Sequence, residues 1–282
     1  MRSTIQITGS NIAITRIGFG CARLFGGIEA RSSRRLVEAA LSVGIRHFDT
    51  APSYGHSESV LGDVLAGVPN VTIATKVGIA YMTGKTRSPV QIVYRKLARP
   101  ILSFVPGIKS KLLRTLDRRD KSSNAAESFA MRRELSRDFV LRSLEESLKR
   151  LKRSRIDIFL IHEPDQFELD DKLLALFSTL QGDGIINTFG LAYGRVVATA
   201  PELGTIIQSR YSPEILHNTE TRRVRILHGT LRFGWNSMAT SRCDETTSEY
   251  LGTILHGHPN LAVVFSASSR HQIRDTVGKL LR

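Results

Sequence analysis

Short apolar runs alternate with amphipathic stretches along almost the whole length of this chain. The runs fall at 17–21, 45–51, 71–77, 156–161, 188–192, 205–208, 225–228 and 261–265. Helical patterns lie between several of them, through 43 and over 58–65, 138–151, 171–180 and 271–281. Such alternation argues for βα units around a parallel sheet. About eight strands favour a closed (β/α)8 TIM barrel over an open doubly wound sheet. Ahead of them TIQIT, the turn Gly9-Ser10-Asn11 and IAITRI read as a β-hairpin.

Local signals sharpen this. Ser32 or Ser33 is placed to cap the first helix and Gly44 to stop it. The clearest helix is 138–151, where Leu141, Leu144, Leu148 and Leu151 recur at spacings of three and four, with Arg142, Glu145, Glu146, Lys149 and Arg150 on other faces. Asp183-Gly184 closes the helix over 171–180. GFGCARLFGG is glycine-rich, but its spacing is wrong for the G-x-G-x-x-G dinucleotide fingerprint. Residues 80–135 break the rhythm with Pro89, Pro100, Pro106 and a run of basic residues. They read as a long insertion, between the third barrel strand and its helix, in a single domain over 1–282.

Composition enters mainly through charge. The net charge is +14, and between Lys85 and Lys121 there are eleven Lys or Arg against two Asp. No nucleic-acid-reading motif accompanies that charge, so no nucleic acid is expected. A solvated segment is the plainest reading of the insertion; contact with an anionic membrane surface or an acidic partner is the alternative. No apolar run approaches the roughly 18 residues of a membrane span. The first residues lack the apolar core of a secretory signal. Cys21 and Cys243 form no disulfide framework, which points to a reducing, cytoplasmic setting. His256 and His258 lack metal-ligand spacing, and no metal is expected.

The chemistry-bearing residues stand at strand ends. HFDTAPSYG, TIATKVG and IDIFLIHEP each carry a polar side chain at or just past the C-terminal end of an apolar run: Asp49, Tyr54, Lys76 and His162. A parallel barrel gathers its reactive groups at that end. An acid, a phenol, an amine and an imidazole meeting there can give a proton to a carbonyl oxygen. Taken singly, each is more often structural; Glu163, next to His162, reads as a surface acid, with a neighbouring pocket carboxylate as the alternative.

DTAPSYG, TKVG and IHEP, with the hairpin and the barrel rhythm, closely resemble the aldo-keto reductase superfamily. SRDFVLRSLEESLKRLKRSRIDIFLIHEP is similar to that family's helix and fourth strand, and FSASSRHQIRDTV to its last strand and helix. The likeness covers most of 1–190 and returns at 261–282, and the long insertion points toward aldose or sugar dehydrogenase-like branches. It implies an NADP-dependent oxidoreductase, with NAD as the alternative, acting on a small carbonyl or alcohol. The implied catalytic roles are Tyr54 as proton donor, Lys76 as the charge favouring the phenolate, Asp49 as the partner fixing Lys76, and His162 as the group orienting the carbonyl. On the cofactor side it implies Gly20 and Cys21 at the end of the first strand and Gln208 at the nicotinamide carboxamide. It also implies Ser266, Ser268, Ser269, Arg270 and Gln272 around the phosphates, with Arg270 toward a 2′-phosphate.

The chain departs from the family where a Ser-Asn pair usually holds the carboxamide; Ala192 and Tyr193 stand there, and Tyr193 is available to pack on the ring. The usual stacking aromatic is not evident in RILHGTLRFGW; Thr230 stands near its place, with Phe233 or Trp235 as substitutes. These departures sustain a second reading, a non-catalytic sensor or subunit of the same fold.

Overall fold

The computed structural model describes residues 3–26, 29–79, 134–165, 168–217, 222–235, 246–277 and 280. The insertion up to 133, its prolines and basic run, and Cys243 lie outside the described residues.

Eight parallel strands close into a barrel. They are β3 (Ile17–Gly20), β4 (His47–Asp49), β5 (Thr72–Val77), β6 (Ile156–His162), β7 (Ile186–Ala192), β8 (Ile206–Arg210), β9 (Val224–His228) and β10 (Leu261–Phe265). Each pairs with the next in sequence, and β10 returns to β3. The hairpin is β1 (Thr4–Gln6) with β2 (Ala13–Thr15), in antiparallel register with Ile5 opposite Ile14.

Alternation along the strands divides the apolar residues into two cores. Ile158 and Leu160 on β6, Ile206 on β8, Val224 and Ile226 on β9 and Ala262 and Val264 on β10 form one cluster inside the barrel. Ile5, Ile7 and Ile14 join that inner cluster, so the hairpin stops the N-terminal end of the barrel. Burying isoleucines of this kind is worth about 1.5–3 kcal/mol each. Phe159, Ile161, Phe189 and Leu191 face the other way and pack with the helices.

Those helices are α1 (Ala30–Ser42), α2 (Ser57–Leu65), α3 (Arg137–Leu151), α4 (Asp171–Gly182), α5 (Thr247–Leu255) and α6 (Arg270–Val277). Two sequence expectations shift. Neither Ser32 nor Ser33 caps α1: Glu29 holds that position, and Ser33 lies buried with its hydroxyl bonded to both backbone groups of Phe25. On α3 the fully buried stripe is Val140, Leu144, Ser147 and Leu151, with Leu141 and Leu148 at its margin. α2 closely approaches α3 at Gly62, whose hydrogen faces the backbone of Arg150 and Leu151, a fit that apolar spacing alone does not signal.

The connection from β7 to β8, residues 193–205, contains no α-helix. Its carbonyls are held by side chains instead. Arg225 donates to Val197 and Ala198 at 2.8 and 3.0 Å, and Arg223 donates to Pro201 and Ala200 at 2.6 and 3.1 Å. Another arginine does the same below the barrel: the buried guanidinium of Arg16 donates to Leu261 O at 3.1 Å, to Leu255 O at 2.7 Å and to His258 O. Backbone polar groups without helical partners are thereby satisfied.

Candidate active site

At the C-terminal mouth, the ends of β4, β5 and β6 bring the four strand-end residues together. Asp49 ends β4. Beyond it the chain extends through Ala51 and turns in the short 3-10 segment Pro52–Tyr54, which Tyr54 N closes on Ala51 O at 3.0 Å. Lys76 faces the lumen from β5, only 1% exposed. Its neighbour Thr75 faces outward and donates to the fully buried Glu58 of α2 at 2.6 Å; the same carboxylate accepts from Arg150 Nε of α3 at 2.7 Å. This outer clamp fixes the strand from which Lys76 projects.

Lys76 Nζ donates to Asp49 Oδ1 at 2.7 Å and to Thr50 O at 2.8 Å, and lies 5.1 Å from the centre of the Tyr54 ring. The ring of His162 stands edge-on to that of Tyr54. The four residues named from the sequence thus form one constellation.

Electrostatics follow from burial and these contacts. Burial works to discharge Lys76, but Asp49 and then Tyr54 outweigh it, and the amine is held above its ordinary range. Burial is also the largest influence on Tyr54 and raises it, with the Lys76 charge pulling the other way. The phenol therefore carries its proton at neutral pH. His162 is lowered to about 3, first by burial and then by the nearby Lys76 charge. It is a neutral imidazole, with one donor and one acceptor nitrogen.

The residues assigned to a cofactor divide into two groups. Gln208 projects into the lumen from β8 and donates its amide to Asp49 Oδ1 at 2.8 Å. Cys21 is fully buried just past β3, its backbone N–H on Asp49 O at 2.8 Å and its thiol directed to Phe19 O. Gly20 O accepts from Ser266 Oγ at 2.7 Å, which ties the ends of β3 and β10. The remaining residues form the start of α6: Gln272 Oε1 accepts from Ser268 N at 3.0 Å and Ser269 Oγ accepts from Gln272 N at 3.1 Å. Ser268, Ser269 and Arg270 are exposed there. The bonds of Ser268 and Ser269 run to Gln272 and not to the tetrad.

On the side where the sequence departs, the outcome differs from expectation. The ring of Tyr193 lies in the core outside the barrel wall with Arg195 over it at 5.6 Å, so only its backbone faces the site. Trp235 packs on Tyr250 with 5.5 Å between ring centres, and the exposed Phe233 lies against the guanidinium groups of Arg210 and Arg232 at 5.0 and 5.2 Å. Thr230 is buried with its hydroxyl unpartnered. The side chain that reaches the lumen from β9 is His228, two residues beyond the inward Ile226. Its Nε2 meets Tyr193 O at 2.8 Å, and its basicity is lowered, chiefly by burial. The period-two pattern of Val224, Ile226 and His228 is the signal that could have singled it out.

Glu163 takes the second of its two expected places, at a cavity wall. It adopts a left-handed backbone, φ 52°, and its carboxylate accepts from Gly194 N. With Pro164, Tyr193, Arg195 and residues of the 196–201 loop it lines a cavity of about 640 Å³.

Comparison with known proteins follows the same lines. The model of the Aldo/keto reductase family matches residues 16–200. The D-threo-aldose 1-dehydrogenase of a Pseudomonas species is 27% identical over 207 residues, 68% of this chain and 53% of that protein. The pyridoxal 4-dehydrogenase of Microbacterium luteolum is 34% identical over 165 residues, 55% of this chain and 41% of that one. The chain spans about half the length of the curated relatives it matches. Among solved structures, an aldo-keto reductase from Bacillus halodurans in its holo form aligns with TM-score 0.70 at 19% identity, over 99% of this chain and 90% of that one. The glycerol dehydrogenase of Gluconobacter oxydans aligns with TM-score 0.65 at 20% identity, over 97% and 90%. At these identities the solved structures show a shared fold.

Proposed function

Because the chain belongs to the aldo/keto reductase family, we propose that it is an oxidoreductase interconverting an aldehyde or ketone and its alcohol, with Tyr54 exchanging the proton at the oxygen. The observation that carries this is the placement of a buried, charged Lys76 between Asp49 and the Tyr54 ring, with the neutral His162 beside them.

Each residue's part follows from its state. A neutral imidazole donates one N–H to a carbonyl oxygen without competing to protonate it, so His162 orients and polarises the substrate. The phenol of Tyr54 gives its proton to that oxygen as negative charge develops there. The phenolate left behind sits against Lys76, whose charge is in place before the reaction starts and needs no rearrangement. Asp49 keeps the ammonium protonated in a dry site, where a lone lysine would lose its charge. In alcohol oxidation the same groups run in reverse.

The residues present fit a nicotinamide dinucleotide. The exposed start of α6 offers the positive end of a helix and the Arg270 guanidinium to phosphates, Arg270 favouring the 2′-phosphate of NADP. Gln208 would meet the carboxamide, with Gly20, Cys21 and Ser266 forming the wall beside it. When bound, such a cofactor supplies or accepts the hydride at the carbonyl carbon, which no side chain here can do. The names of two similar proteins, an aldose dehydrogenase and a glycerol dehydrogenase, support a polyol or aldose as substrate class. No helix among the described residues is long and apolar enough to cross a membrane, and a cytoplasmic site of action is part of the reading.

The test is oxidation of NADPH, and of NADH in parallel, by purified protein with a panel of aldehydes, ketones and sugars. Turnover that Tyr54→Phe abolishes supports the reading; turnover unchanged in that variant removes Tyr54 from its role. A second reading is a non-catalytic barrel that binds cofactor as a sensor or subunit. It is favoured by Ala192, which offers no polar side chain at the end of β7, and by the outward turn of Tyr193. Cofactor binding seen by fluorescence, without turnover on the whole panel, would establish it.

A further inference from the structure

Asp49 Oδ1 accepts two hydrogen bonds, one from Lys76 Nζ at 2.7 Å and one from Gln208 Nε2 at 2.8 Å. The second bond crosses the barrel. Around the closed sheet β4 and β8 are four strands apart among eight, on opposite walls. Ala74, beside Asp49 in the sheet, and Ala192, beside Gln208, are both small inward residues, so neither flanking side chain stands in the way of the contact. All three partners are 5% exposed or less, so water does not compete for the oxygen.

We propose that Gln208 is a positioning residue for the acid–base group: its amide sets how strongly Asp49 holds Lys76, and through Lys76 how readily the Tyr54 phenol gives and takes its proton. The proposal rests on the oxidoreductase reading for its meaning in turnover, but the coupling itself belongs to the protein without cofactor.

The sign follows from the dipoles. An N–H directed at Asp49 disperses part of the carboxylate's charge. With the amide removed, Asp49 Oδ1 has Lys76 alone. The carboxylate then draws the ammonium more tightly, and the field at the phenol becomes more negative. Both effects hold the proton on Tyr54. The other groups near the phenol are Lys76 on β5, Asp49 on β4, Cys21 after β3 and His162 on β6; His162 is neutral at working pH and Cys21 keeps its proton, raised chiefly by burial. Lys76 and Asp49 are therefore the charges the amide modulates. If a nicotinamide carboxamide engages Gln208, the same amide reports cofactor arrival to the proton donor.

The experiment compares wild type, Gln208→Met, which keeps length without a donor, and Gln208→Glu, which puts a second carboxyl against Asp49. The ionisation of Tyr54 is read in cofactor-free protein from near-ultraviolet phenolate absorbance, as the difference between each protein and its Tyr54→Phe counterpart, with circular dichroism following the fold. The alkaline limb of the pH profile for carbonyl reduction is read beside it. In Gln208→Met both midpoints should rise by roughly half to one pH unit, since a hydrogen bond to a charged group is lost, and in Gln208→Glu by more. If Gln208→Met does not fold, Gln208→Asn, too short to reach Asp49, carries the same expectation. Midpoints that coincide with wild type in both measurements overturn the proposal. A wild type that turns over nothing overturns the oxidoreductase reading instead, and the cofactor-free titration alone then decides the role of Gln208.

Discussion

The ring of Tyr54 stands edge-on to the ring of His162, with 6.2 Å between centres and 86° between planes. The contact rests on the ring and not on the hydroxyl. Tyr54→Phe should therefore keep the packing and lose the proton. Turnover should fall on the order of 10²–10⁴-fold, the usual worth of a positioned acid, while the thermal midpoint stays near wild type. Steady-state kinetics and a melting curve on the same preparation check both halves.

His162, lowered to about 3, stays uncharged across the working range. The acid side of the pH–rate profile should show no limb near 6.5, the ordinary histidine value. Proton NMR of the imidazole should place its titration well below pH 5. A limb at 6.5 that disappears in His162→Gln would contradict this neutral role.

Lys76→Met breaks a pair in which both partners are buried. It leaves Asp49 with the Gln208 amide but without a counter-charge, and should cost about 3–5 kcal/mol in urea unfolding. Adding Asp49→Asn should recover part of the stability and none of the activity. That separates the electrostatic cost of the lone carboxylate from loss of the catalytic charge.

His47 is fully buried in β4, its Nδ1 on Thr72 Oγ1 at 3.1 Å and its Nε2 without a partner. Burial lowers it to about 4. The unfolded chain binds this proton more readily, so the stabilisation is present above about 6.5 and is lost as pH falls toward 4. Between pH 7 and pH 5 the loss from this group is about 2 kcal/mol. His47→Asn should flatten the decline in denaturation midpoint over that interval, even where it lowers stability at neutral pH.

Gly229 follows β9 with φ 72°, and a Cβ there would press on the Phe233 ring at 2.7 Å. Gly229→Ala should lose about 1–3 kcal/mol through backbone strain and the displaced ring. Equilibrium unfolding of Gly229→Ala beside Gly229→Ala/Phe233→Ala divides the two causes, since the second variant removes the collision and keeps the strain.

Much of the site was legible because a strand's end is a fixed address. Asp49, Lys76 and His162 each close an apolar run, and a parallel barrel turns that position toward the mouth whatever the rest of the strand does. Tyr54, five residues past Asp49, followed from DTAPSYG. What the sequence hid were relations that exist only after closure. Gln208 reads as a ligand for something absent until β8 is seen opposite β4, its amide on Asp49 Oδ1. His228 ends a run as plainly as His162, whereas Phe233 and Trp235, the aromatics nearest in sequence, pack against Arg210, Arg232 and Tyr250. Ser33 looked like a cap because caps are local, whereas its hydroxyl is used by Phe25, earlier in the chain. Nothing in the residues after β7 announced that Arg223 and Arg225, two strands later, would stand in for a helix.

The hairpin has a kinetic meaning. With Ile5, Ile7 and Ile14 filling the lower opening and Ile158, Leu160, Ile226 and Val264 filling the lumen above them, the described residues leave the tetrad to be reached from the C-terminal mouth. Two molecules that react at the tetrad must share that mouth. The one seated deeper has to enter first and depart last, whatever their relative affinities. A compulsory order of arrival, visible as competitive inhibition by one product against one substrate only, would be the outward sign of three isoleucines on the far side of the molecule.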